Sequence, residues 1–355
     1  MKRTVRERVL RVRGILGPIV KPGKYWREIQ DRLERQLALP PTRKQVAWCY
    51  RDFLWFRILF NGSMHDYFDG QMYRKSNFVR EESLSRYVRF PWRDAIQRQE
   101  DWVVFQDKRE FYKAFSEHLH RDWMILGPSV SWEEYLAFLA RCSYQVFVKI
   151  PESGGGKGVR YMTPDTLERQ RELFRAGQKE EYILEGKLRQ CEEIYSFANA
   201  SVNTFRMITL VDAKGQVHLA AAVLRMGSGQ NPLDNFCMGG MSAVIDVDTG
   251  IICSTAKDGD GKEYLCHPNT GKQIIGYRIP DWQGYKDFAV SLGKKYPQMR
   301  YVGWDIIKDI YGNYCVIEGN KDAGVELIEC HFLWGLKPYY EAILNVGEYP
   351  PGGDG

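Results

Sequence analysis

The fold is decided by residues 301–320, which read YVGWDIIKDIYGNYCVIEGN. Two runs rich in β-branched and aromatic residues, 301–308 and 314–318, flank the polar stretch 309–313, and this pattern is typical of a hairpin of two antiparallel strands. Side chains alternate between the faces of a strand, so Glu318 and Asn320 share one face, and the hairpin can bring Asp305 beside them. The sequence therefore predicts three oxygen-bearing side chains on one face of a sheet.

This cluster has the chemistry of a magnesium site. Carboxylate and amide oxygens are the hard donors that Mg²⁺ prefers, and the phosphates of a substrate commonly complete its coordination. A solvent-facing acidic patch is the alternative. The apolar neighbours of Asp305 and Glu318 argue against it, because they predict a buried hairpin in which an unpaired carboxylate is unfavourable. We expect Asp305, Glu318 and Asn320 to be metal ligands.

A glycine-rich segment, ESGGGKG at residues 152–158, lies between predicted strands at 144–150 and 159–162. Consecutive glycines let backbone N-H groups approach phosphate oxygens, and Lys157 adds a positive charge. Lys157 is followed by Gly158 and not by Ser or Thr, so the segment is no Walker A loop, and its spacing does not give G-x-G-x-x-G. A phosphate-binding loop and a plain tight turn both remain open.

Three basic residues lie within or at the ends of predicted strands: Lys149, Arg206 and Arg225. One such residue usually extends its charged end to the protein surface. Three on separate strands could instead converge on the phosphates of a ligand. Their position makes them candidates for a binding site.

The rest of the chain mixes helices with hairpins. Thr163 and Pro164 predict the start of a charged helix, with the threonine as its N-cap and the proline as its first residue. Helices combined with antiparallel hairpins predict an α+β fold, not a run of parallel βαβ units. We expect helices at 5–16, 25–39, 46–60, 281–296 and 336–344, a strand at 182–185, and further hairpins at 204–224 and 243–255.

Composition is that of a soluble globular protein. The 355 residues exceed a typical single core, so two or three packed units are expected. The eight cysteines are scattered singly, without the pairs of a disulfide framework or a zinc site. The first twenty residues have no continuous apolar run of the kind found in a secretory signal. We therefore expect a cytoplasmic protein, either free or peripheral at the inner face of the membrane.

Charge is distributed unevenly along the chain. Residues 1–100 hold 22 Lys and Arg against 11 Asp and Glu, whereas the remainder holds 28 against 34. Such a basic third can meet an anionic membrane surface or a polyanionic glycan, and a solvated helical surface is the alternative. No base-reading motif accompanies the positive charge, so no nucleic acid partner is expected.

The order of these features resembles the ATP-grasp superfamily. It runs from Lys108 and Lys149 through the glycine loop and the sequence ILEG at 183–186 to Arg206 and the 301–320 hairpin. The sequence NTFR at 203–206 and the hairpin resemble, more narrowly, the sugar-transfer-associated ATP-grasp proteins. The resemblance implies two α+β subdomains that clasp ATP: a lid at 105–185 with the glycine loop, and a C-terminal subdomain at 186–345 with the metal site. A basic helical region at 1–104 precedes them, and a tail at 346–355 follows.

The resemblance also implies roles for single residues. Two lysines contact the nucleotide phosphates, one of them near adenine, a hinge at 185–187 meets the adenine edge, and a following glutamate holds the ribose. The implied cofactors are ATP and two magnesium ions. The implied nucleotide-binding residues are Lys108, Lys149, Ser153, Gly154, Gly155, Gly156, Lys157, Gly158, Glu185, Gly186, Lys187, Glu192 and Glu193. The implied catalytic residues are Lys149, Arg206 and Arg225, and the implied metal ligands are Asp305, Glu318 and Asn320.

One position departs from a well-known branch of the superfamily. Proteins similar to D-alanine-D-alanine ligase carry an arginine two positions before the metal-binding aspartate, where this chain has Gly303. The acceptor carboxylate or the tetrahedral intermediate must then be bound by another residue, for which Arg206 and Arg225 are candidates. The substrates of that branch therefore cannot be assigned to this chain by analogy.

The implied reaction is amide formation. A substrate carboxylate attacks the γ-phosphate of ATP to give an acylphosphate, and an amine then displaces phosphate, so positioning and charge neutralisation matter more than proton transfer. His331 and Lys321 are candidates for deprotonating the amine, although each is more often structural. The narrower family implies a uronic-acid-containing polysaccharide, or its precursor, as the molecule modified with an amino acid or amine. The alternatives are an ATP-grasp kinase acting on a hydroxyl and a noncatalytic ATP-binding scaffold.

Overall fold

The protein is described by a computed structural model at residues 17–153, 158–199, 202–227 and 240–345. Helices make up the N-terminal part, and two antiparallel sheets with further helices make up the rest, so the predicted α+β fold is confirmed. The expected helix at 5–16 lies outside the described residues.

The bounds of the elements are as follows. The helices are α1 (Pro22–Leu37), α2 (Arg43–Phe60), α3 (Met64–Asp69), α4 (Asn77–Glu81), α5 (Arg86–Ile96), α6 (Val103–Gln106), α7 (Lys108–Ala114), α8 (Trp132–Arg141), α9 (Leu167–Gly177), α10 (Glu192–Tyr195), α11 (Trp282–Lys295), α12 (Glu326–Glu329) and α13 (Lys337–Leu344), with 3-10 helices at Met72–Arg74, Gln99–Trp102 and Ser116–His118. The strands are β1 (Trp123–Leu126), β2 (Val146–Lys149), β3 (Val159–Met162), β4 (Tyr182–Gly186), β5 (Thr204–Val211), β6 (Val217–Met226), β7 (Met241–Ile245), β8 (Ala256–Asp258), β9 (Glu263–Tyr264), β10 (Tyr301–Lys308) and β11 (Tyr314–Asn320).

Helix α2 is the longest helix of the N-terminal part. Its start is fixed by a capping box, in which the Gln45 backbone N-H donates to Thr42 Oγ1 and the Gln45 side chain accepts from the Thr42 backbone N-H. It ends at Asn61, which adopts the left-handed conformation with φ of 51°. Phe53 and Phe56 lie on its buried side. None of the helices within the described ranges is long and apolar enough to cross a membrane.

The smaller sheet has four strands in the order β1-β4-β2-β3. Helices α8 and α9 cover one face, where Tyr135, Phe138 and Leu173 pack against Val146 and Val148. The alternation of side chains places the next residues along β2 and β4, among them Lys149 and Glu185, on the opposite face.

The larger sheet has seven strands in the order β11-β10-β5-β6-β7-β8-β9. Helix α11 covers one face through Trp282 and Tyr285, while α12, α13 and residues of the N-terminal part cover the other. Both faces of β5 and β6 are therefore buried. Cross-strand pairing places Arg206 next to Asp305 on the second face.

The N-terminal helices brace the larger sheet. Lys75 Nζ donates to the Glu329 carbonyl at 2.6 Å, the Leu84 backbone N-H donates to Glu329 Oε1 at 3.0 Å, and the Tyr301 backbone N-H donates to Gln97 Oε1 at 2.8 Å. These bonds join α12 and β10 to the segment between α3 and the second 3-10 helix. The division of the chain at residues 104, 185 and 345 stays a prediction, and residue 185 lies inside β4.

Two local predictions differ from the structure. Helix α9 begins at Leu167 and not at Pro164, because Thr166 provides the N-cap and its Oγ1 accepts from the Arg169 backbone N-H at 3.4 Å. The second strand of the 243–255 hairpin is reduced to an isolated bridge at Ile252, and β8 takes over the pairing with β7.

Candidate active site

A cavity of about 560 Å³ lies where the two sheets meet. The smaller sheet contributes Lys149 and, in the turn after β2, Ser153, and Lys108 reaches the cavity from the first residue of α7. Glu318 and Asn320 line the opposite side from the end of β11. The cavity thus unites residues that are more than 200 positions apart in the sequence.

The pairing of β11 with β10 explains why the side chains of Glu318 and Asn320 both face the cavity. Glu318 is opposite Asp305, Asn320 is opposite Gly303, and a bulge follows Asp305. Gly319 lies between them and faces the other way: a Cβ atom there would be 2.7 Å from the Phe105 ring, so this close approach requires glycine. The Asn320 side-chain amide donates to Glu318 Oε1 at 3.0 Å, which fixes the two side chains relative to each other.

Asp305 is buried between two guanidinium groups. Arg206 Nε donates to Asp305 Oδ1 at 2.6 Å and its terminal nitrogen donates to Oδ2 at 3.0 Å, while Arg225 donates to Oδ2 at 3.0 Å. Burial by itself raises the pKa of the Asp305 carboxyl, but Arg206 and Arg225 outweigh burial and lower the pKa to about 2. Asp305 is therefore ionised at neutral pH.

The three basic strand residues Lys149, Arg206 and Arg225 do not form one group. Arg206 and Arg225 converge on Asp305, whereas Lys149 belongs to a separate group on the smaller sheet. Asp305 is buried but is not an unpaired carboxylate, because Arg206 and Arg225 already balance its charge.

The donor set nevertheless suits magnesium. Glu318 and Asn320 offer hard oxygen donors to the cavity, and Asp305 is directly opposite Glu318 in the sheet. Within the described residues, no group of three or more His, Cys, Asp or Glu side chains is placed to hold a metal. The assignment of Asp305, Glu318 and Asn320 as metal ligands stays a prediction.

The packing around position 303 explains why a glycine lies there. A Cβ atom at this position would be 2.4 Å from the Ala323 Cβ and 3.0 Å from Arg206 Cδ. The stem of Arg206 therefore fills the space beside residue 303, and a larger side chain there would displace it. An arginine reaches this region from β5 instead of from β10.

A second buried carboxylate, Glu185, lies on the smaller sheet. Lys149 Nζ is 2.5 Å from Glu185 Oε1, Arg121 Nε is 2.7 Å from Oε2, and the Tyr112 hydroxyl donates to the same oxygen. Burial raises the pKa of the Glu185 carboxyl, but Arg121 and Lys149 outweigh it and lower the pKa to about 2. Burial lowers the pKa of Lys149, and Glu185 reverses that effect and raises it above the ordinary value.

Sequence reasoning missed Tyr112 and Arg121. Arg121 also donates to the Val316 carbonyl at 3.0 Å and so ties the smaller sheet to β11 of the larger one. Tyr112 lies four residues after Lys108 on α7, and this spacing places both on one face of the helix. That spacing was the available signal for Tyr112, whereas nothing local distinguishes Arg121 from the other arginines.

Lys108 is held close to the glycine loop. Its ammonium group donates to the Ser153 carbonyl and lies 3.3 Å from Ser153 Oγ, and its backbone N-H donates to the Pro151 carbonyl at 3.1 Å. Burial lowers the pKa of Lys108, and Glu318 opposes the shift. Gly158, with φ of +75°, ends the loop. The predicted loop residues Gly154, Gly155, Gly156 and Lys157 lie outside the described residues.

Other predicted residues lie away from the cavity. Lys187, Glu192 and Glu193 are exposed and do not line it, and the Glu185 side chain is engaged in its ion pairs. Gly186 is buried and pairs with Val146. The proposed contacts of these residues with adenine and ribose stay predictions.

The two candidate bases have different surroundings. Lys321 lines the cavity, and its ammonium lies 2.7 Å from Asp322 and over the Trp102 ring. His331 Nε2 is 3.4 Å from Ser242 Oγ. Burial and the nearby lysines Lys75 and Lys257 lower the pKa of His331 to about 3, so this ring is neutral at physiological pH.

Comparison with known proteins gives one match to a family model. The sequence matches the family model described as sugar-transfer associated ATP-grasp over residues 171–344, just under half of the chain. The match bears out the resemblance to the sugar-transfer-associated ATP-grasp proteins over that part of the chain. A search of curated protein sequences found no significant match.

Several solved structures align with parts of this chain, each with a TM-score below 0.5. The ATP-grasp ligase PsnB, in complex with a phosphomimetic variant of its minimal precursor, Mg and ADP, is 15% identical, with 74% of this chain and 66% of that chain covered and a TM-score of 0.43. N5-carboxyaminoimidazole ribonucleotide synthetase with ADP is 13% identical (63% and 46% covered, TM-score 0.38), and D-alanine-D-alanine ligase from Coxiella burnetii is 12% identical (63% and 50% covered, TM-score 0.36). This chain spans less than two thirds of the length of each.

Proposed function

Because the chain matches the sugar-transfer-associated ATP-grasp family, we propose that it is an ATP- and magnesium-dependent ligase that joins a carboxylate to an amine through an acylphosphate. The single observation that supports this most is the cavity in which Lys108 and Lys149 face Glu318 and Asn320 across the junction of the two sheets. Cations on one side suit phosphates, and hard oxygen donors on the other suit Mg²⁺.

The residues have distinct proposed tasks. Lys108 and Lys149 bind phosphate oxygens, and Ser153 with the following glycine loop covers them. Asp305, Glu318 and Asn320 hold magnesium, which neutralises charge on the transferred phosphoryl group when it is bound. Arg206 and Arg225 lie on the face of the larger sheet next to this site and orient the carboxylate that is activated.

The reaction needs exact positioning more than a strong base. The acceptor carboxylate is already ionised at neutral pH, and its oxygen attacks the γ-phosphorus while ADP leaves. An amine then attacks the acyl carbon and phosphate leaves, so the amine must lose a proton. Lys321, on the wall of the cavity, is the better placed of the two candidate bases.

The acceptor we propose is a uronic-acid-containing polysaccharide or its precursor, modified with an amino acid or another amine. The description of the matched family associates it with sugar transfer, which supports a glycan acceptor. The excess of Lys and Arg among residues 1–100 supports contact with an anionic glycan or membrane surface.

A substrate panel with ATP and magnesium tests the reaction class. For a ligase we expect ADP and phosphate together with a product whose mass is acid plus amine minus water. Hydroxylamine in place of the amine should yield a hydroxamate from the acylphosphate. A product that retains phosphate on a hydroxyl would identify the kinase alternative, and ATP binding without turnover on any substrate would identify the scaffold.

A further inference from the structure

Helix α2 turns an unusual face to solvent. Trp48, Trp55, Ile58 and Leu59 are 49%, 55%, 47% and 57% exposed, although tryptophan and aliphatic side chains are normally buried in a globular protein. Single exposed apolar residues are common, but a contiguous group marks an interaction site. Four of them on one helix indicate that another molecule binds to this face.

These side chains share one side of the helix. An α-helix advances about 100° per residue, so Trp48, Trp55, Ile58 and Leu59 fall within an arc of about 100° on the side of α2 that does not face the protein core. Phe53 and Phe56 occupy the opposite side and are fully buried. The outer face is therefore apolar in addition to the inner face, and the core accounts only for the inner one.

Two cations lie within the same arc. Lys44 is one turn before Trp48, and Arg51 lies between the two tryptophans; both are exposed. Among the described residues neither has an acidic partner, and the single acid of α2, Asp52, is bound to Arg80 at 2.7 Å and to the Tyr67 hydroxyl. The outer face thus combines large apolar side chains with unneutralised positive charge.

We infer that this face, defined by Lys44, Trp48, Arg51, Trp55, Ile58 and Leu59, docks on an anionic lipid bilayer. Tryptophan is favoured at the level of the lipid headgroups because its ring is apolar and its N-H is polar, and lysine and arginine pair with anionic headgroups. The inference specifies the membrane part of the proposed function and does not depend on the ligase reaction.

A second copy of the chain suits this face less well. A symmetric interface brings identical patches together, so Lys44 and Arg51 of both copies would be buried at one contact without an acidic partner. An anionic bilayer satisfies both properties of the face at once, because headgroups neutralise the cations and the acyl boundary accepts the rings. The glycan alternative offers the charges a partner but leaves Ile58 and Leu59 exposed.

Flotation of the full chain with vesicles tests the inference. We expect binding to vesicles of phosphatidylcholine with 30% phosphatidylglycerol, little binding to phosphatidylcholine alone, and weakening as salt rises, since surface charges are screened. Trp48→Ser with Trp55→Ser should weaken binding at least about tenfold, and Lys44→Glu with Arg51→Glu should do the same.

Matched controls separate this face from exposed residues in general. Trp334→Ser removes a tryptophan that is 47% exposed elsewhere, and Arg171→Glu with Arg175→Glu reverses two exposed charges on α9. Both controls should bind vesicles as the unaltered protein does. Because every altered side chain is exposed, the melting temperature should be unchanged, and ATP turnover on soluble substrate can be measured in parallel as an independent readout.

Two results would overturn the inference. One is vesicle binding that is unchanged in both α2 variants, which would place the contact on other residues, such as the basic residues 1–16. The other is an absence of binding to the anionic vesicles. A dimer, detected by light scattering, that dissociates when Trp48 and Trp55 are replaced would then assign the face to a second copy of the chain. Loss of ligase activity with intact vesicle binding would count against the proposed reaction and leave the docking face in place.

Discussion

Two buried carboxylates, Glu185 on the smaller sheet and Asp305 on the larger one, are built alike. Each is ionised, each is held by two basic side chains, and each has a pKa of about 2. They differ in what lies next to them. Glu185 has the neutral Tyr112 as its further neighbour, whereas Asp305 is paired in the sheet with another carboxylate, Glu318, which opens on the cavity.

The side chains around Glu185 and those around Asp305 consequently differ in net charge. Lys149, Arg121 and Glu185 sum to one positive charge, and Lys149 presents it to the cavity. On the larger sheet, the Glu318 carboxylate compensates the corresponding surplus of Arg206, Arg225 and Asp305. The net positive charge on the smaller sheet suits an anion, and the oxygen donors of the larger sheet suit the proposed metal cation.

The largest expected effect comes from removing the compensating carboxylate. Glu318→Gln keeps the shape of the side chain but takes away its charge, so the proposed magnesium site would lose a charged ligand. We expect turnover to fall on the order of 10²-fold or more, because the phosphoryl group would lose its main source of charge neutralisation. ATP-dependent product formation at several magnesium concentrations measures this effect.

The control for this variant is Glu263→Gln, which neutralises a half-exposed glutamate on β9, outside the cavity. Both variants should retain the melting temperature of the unaltered protein to within a few degrees. Full turnover of Glu318→Gln would remove the metal assignment and, with it, the functional difference between the two groups.

Much of the larger sheet could be predicted from the sequence. The hairpin of β10 and β11 has strong alternation and a polar turn, and its predicted bounds differ from the structure by two residues at the end of β11. The shared face of Glu318 and Asn320 followed from the alternation of side chains, and the position of Asp305 beside Glu318 followed from the hairpin. These contacts are local along the sheet, so local patterns are enough to predict them.

The ion pairs could not be predicted in the same way. Arg206 and Arg225 are strand residues whose target could have been a phosphate or a carboxylate, and only the order β10-β5-β6 brings both to Asp305. Arg121 reaches Glu185 over 64 positions from a segment without a motif. The start of helix α9 shows the same limit locally, since Thr163 and Thr166 are both acceptable N-caps in the sequence and the structure uses Thr166.

A second prediction distinguishes ATP binding by Lys149 from a purely structural role in the ion pair with Glu185. Lys149→Met and Arg121→Met each remove one positive partner of the same buried carboxylate, so both should lower the free energy of unfolding by about 3 to 5 kcal/mol. Lys149 lines the cavity and Arg121 does not. We therefore expect the KM for ATP to rise at least about tenfold in Lys149→Met and much less in Arg121→Met.

Chemical denaturation and initial rates on the two variants measure these effects, and Lys113→Met, an exposed lysine on α7, is the control. Equal changes in the KM for ATP would mean that Lys149 acts only through the ion pair. Unaltered nucleotide binding in Lys149→Met would contradict its contact with phosphate.

The smallest expected effect concerns acid stability. The pKa of Glu185 is lowered in the folded protein from an ordinary value of 4.5 to about 2, so its contribution to stability is complete above about pH 4.5 and is lost as the pH falls toward 2. Glu185→Gln should therefore reduce the slope of unfolding free energy against pH in this window by up to about 1 kcal/mol per pH unit. The absolute stability of this variant is lower at neutral pH, so the slope is the quantity to compare.

Glu329 provides a control of opposite sign. Burial raises its pKa in the folded protein, although Lys75 opposes the shift, so the folded state binds a proton more readily than the unfolded state and gains stability as the pH falls. As the pH falls, Glu329→Gln should therefore steepen the loss of stability above about pH 4.5, where the raised pKa of Glu329 acts, whereas Glu185→Gln should flatten it below about pH 4.5. If both variants shift the slope in the same direction, the loss of stability in acid does not depend on these individual carboxylates. The ion pairs with Arg121 and Lys149 would then not determine the ionisation of Glu185.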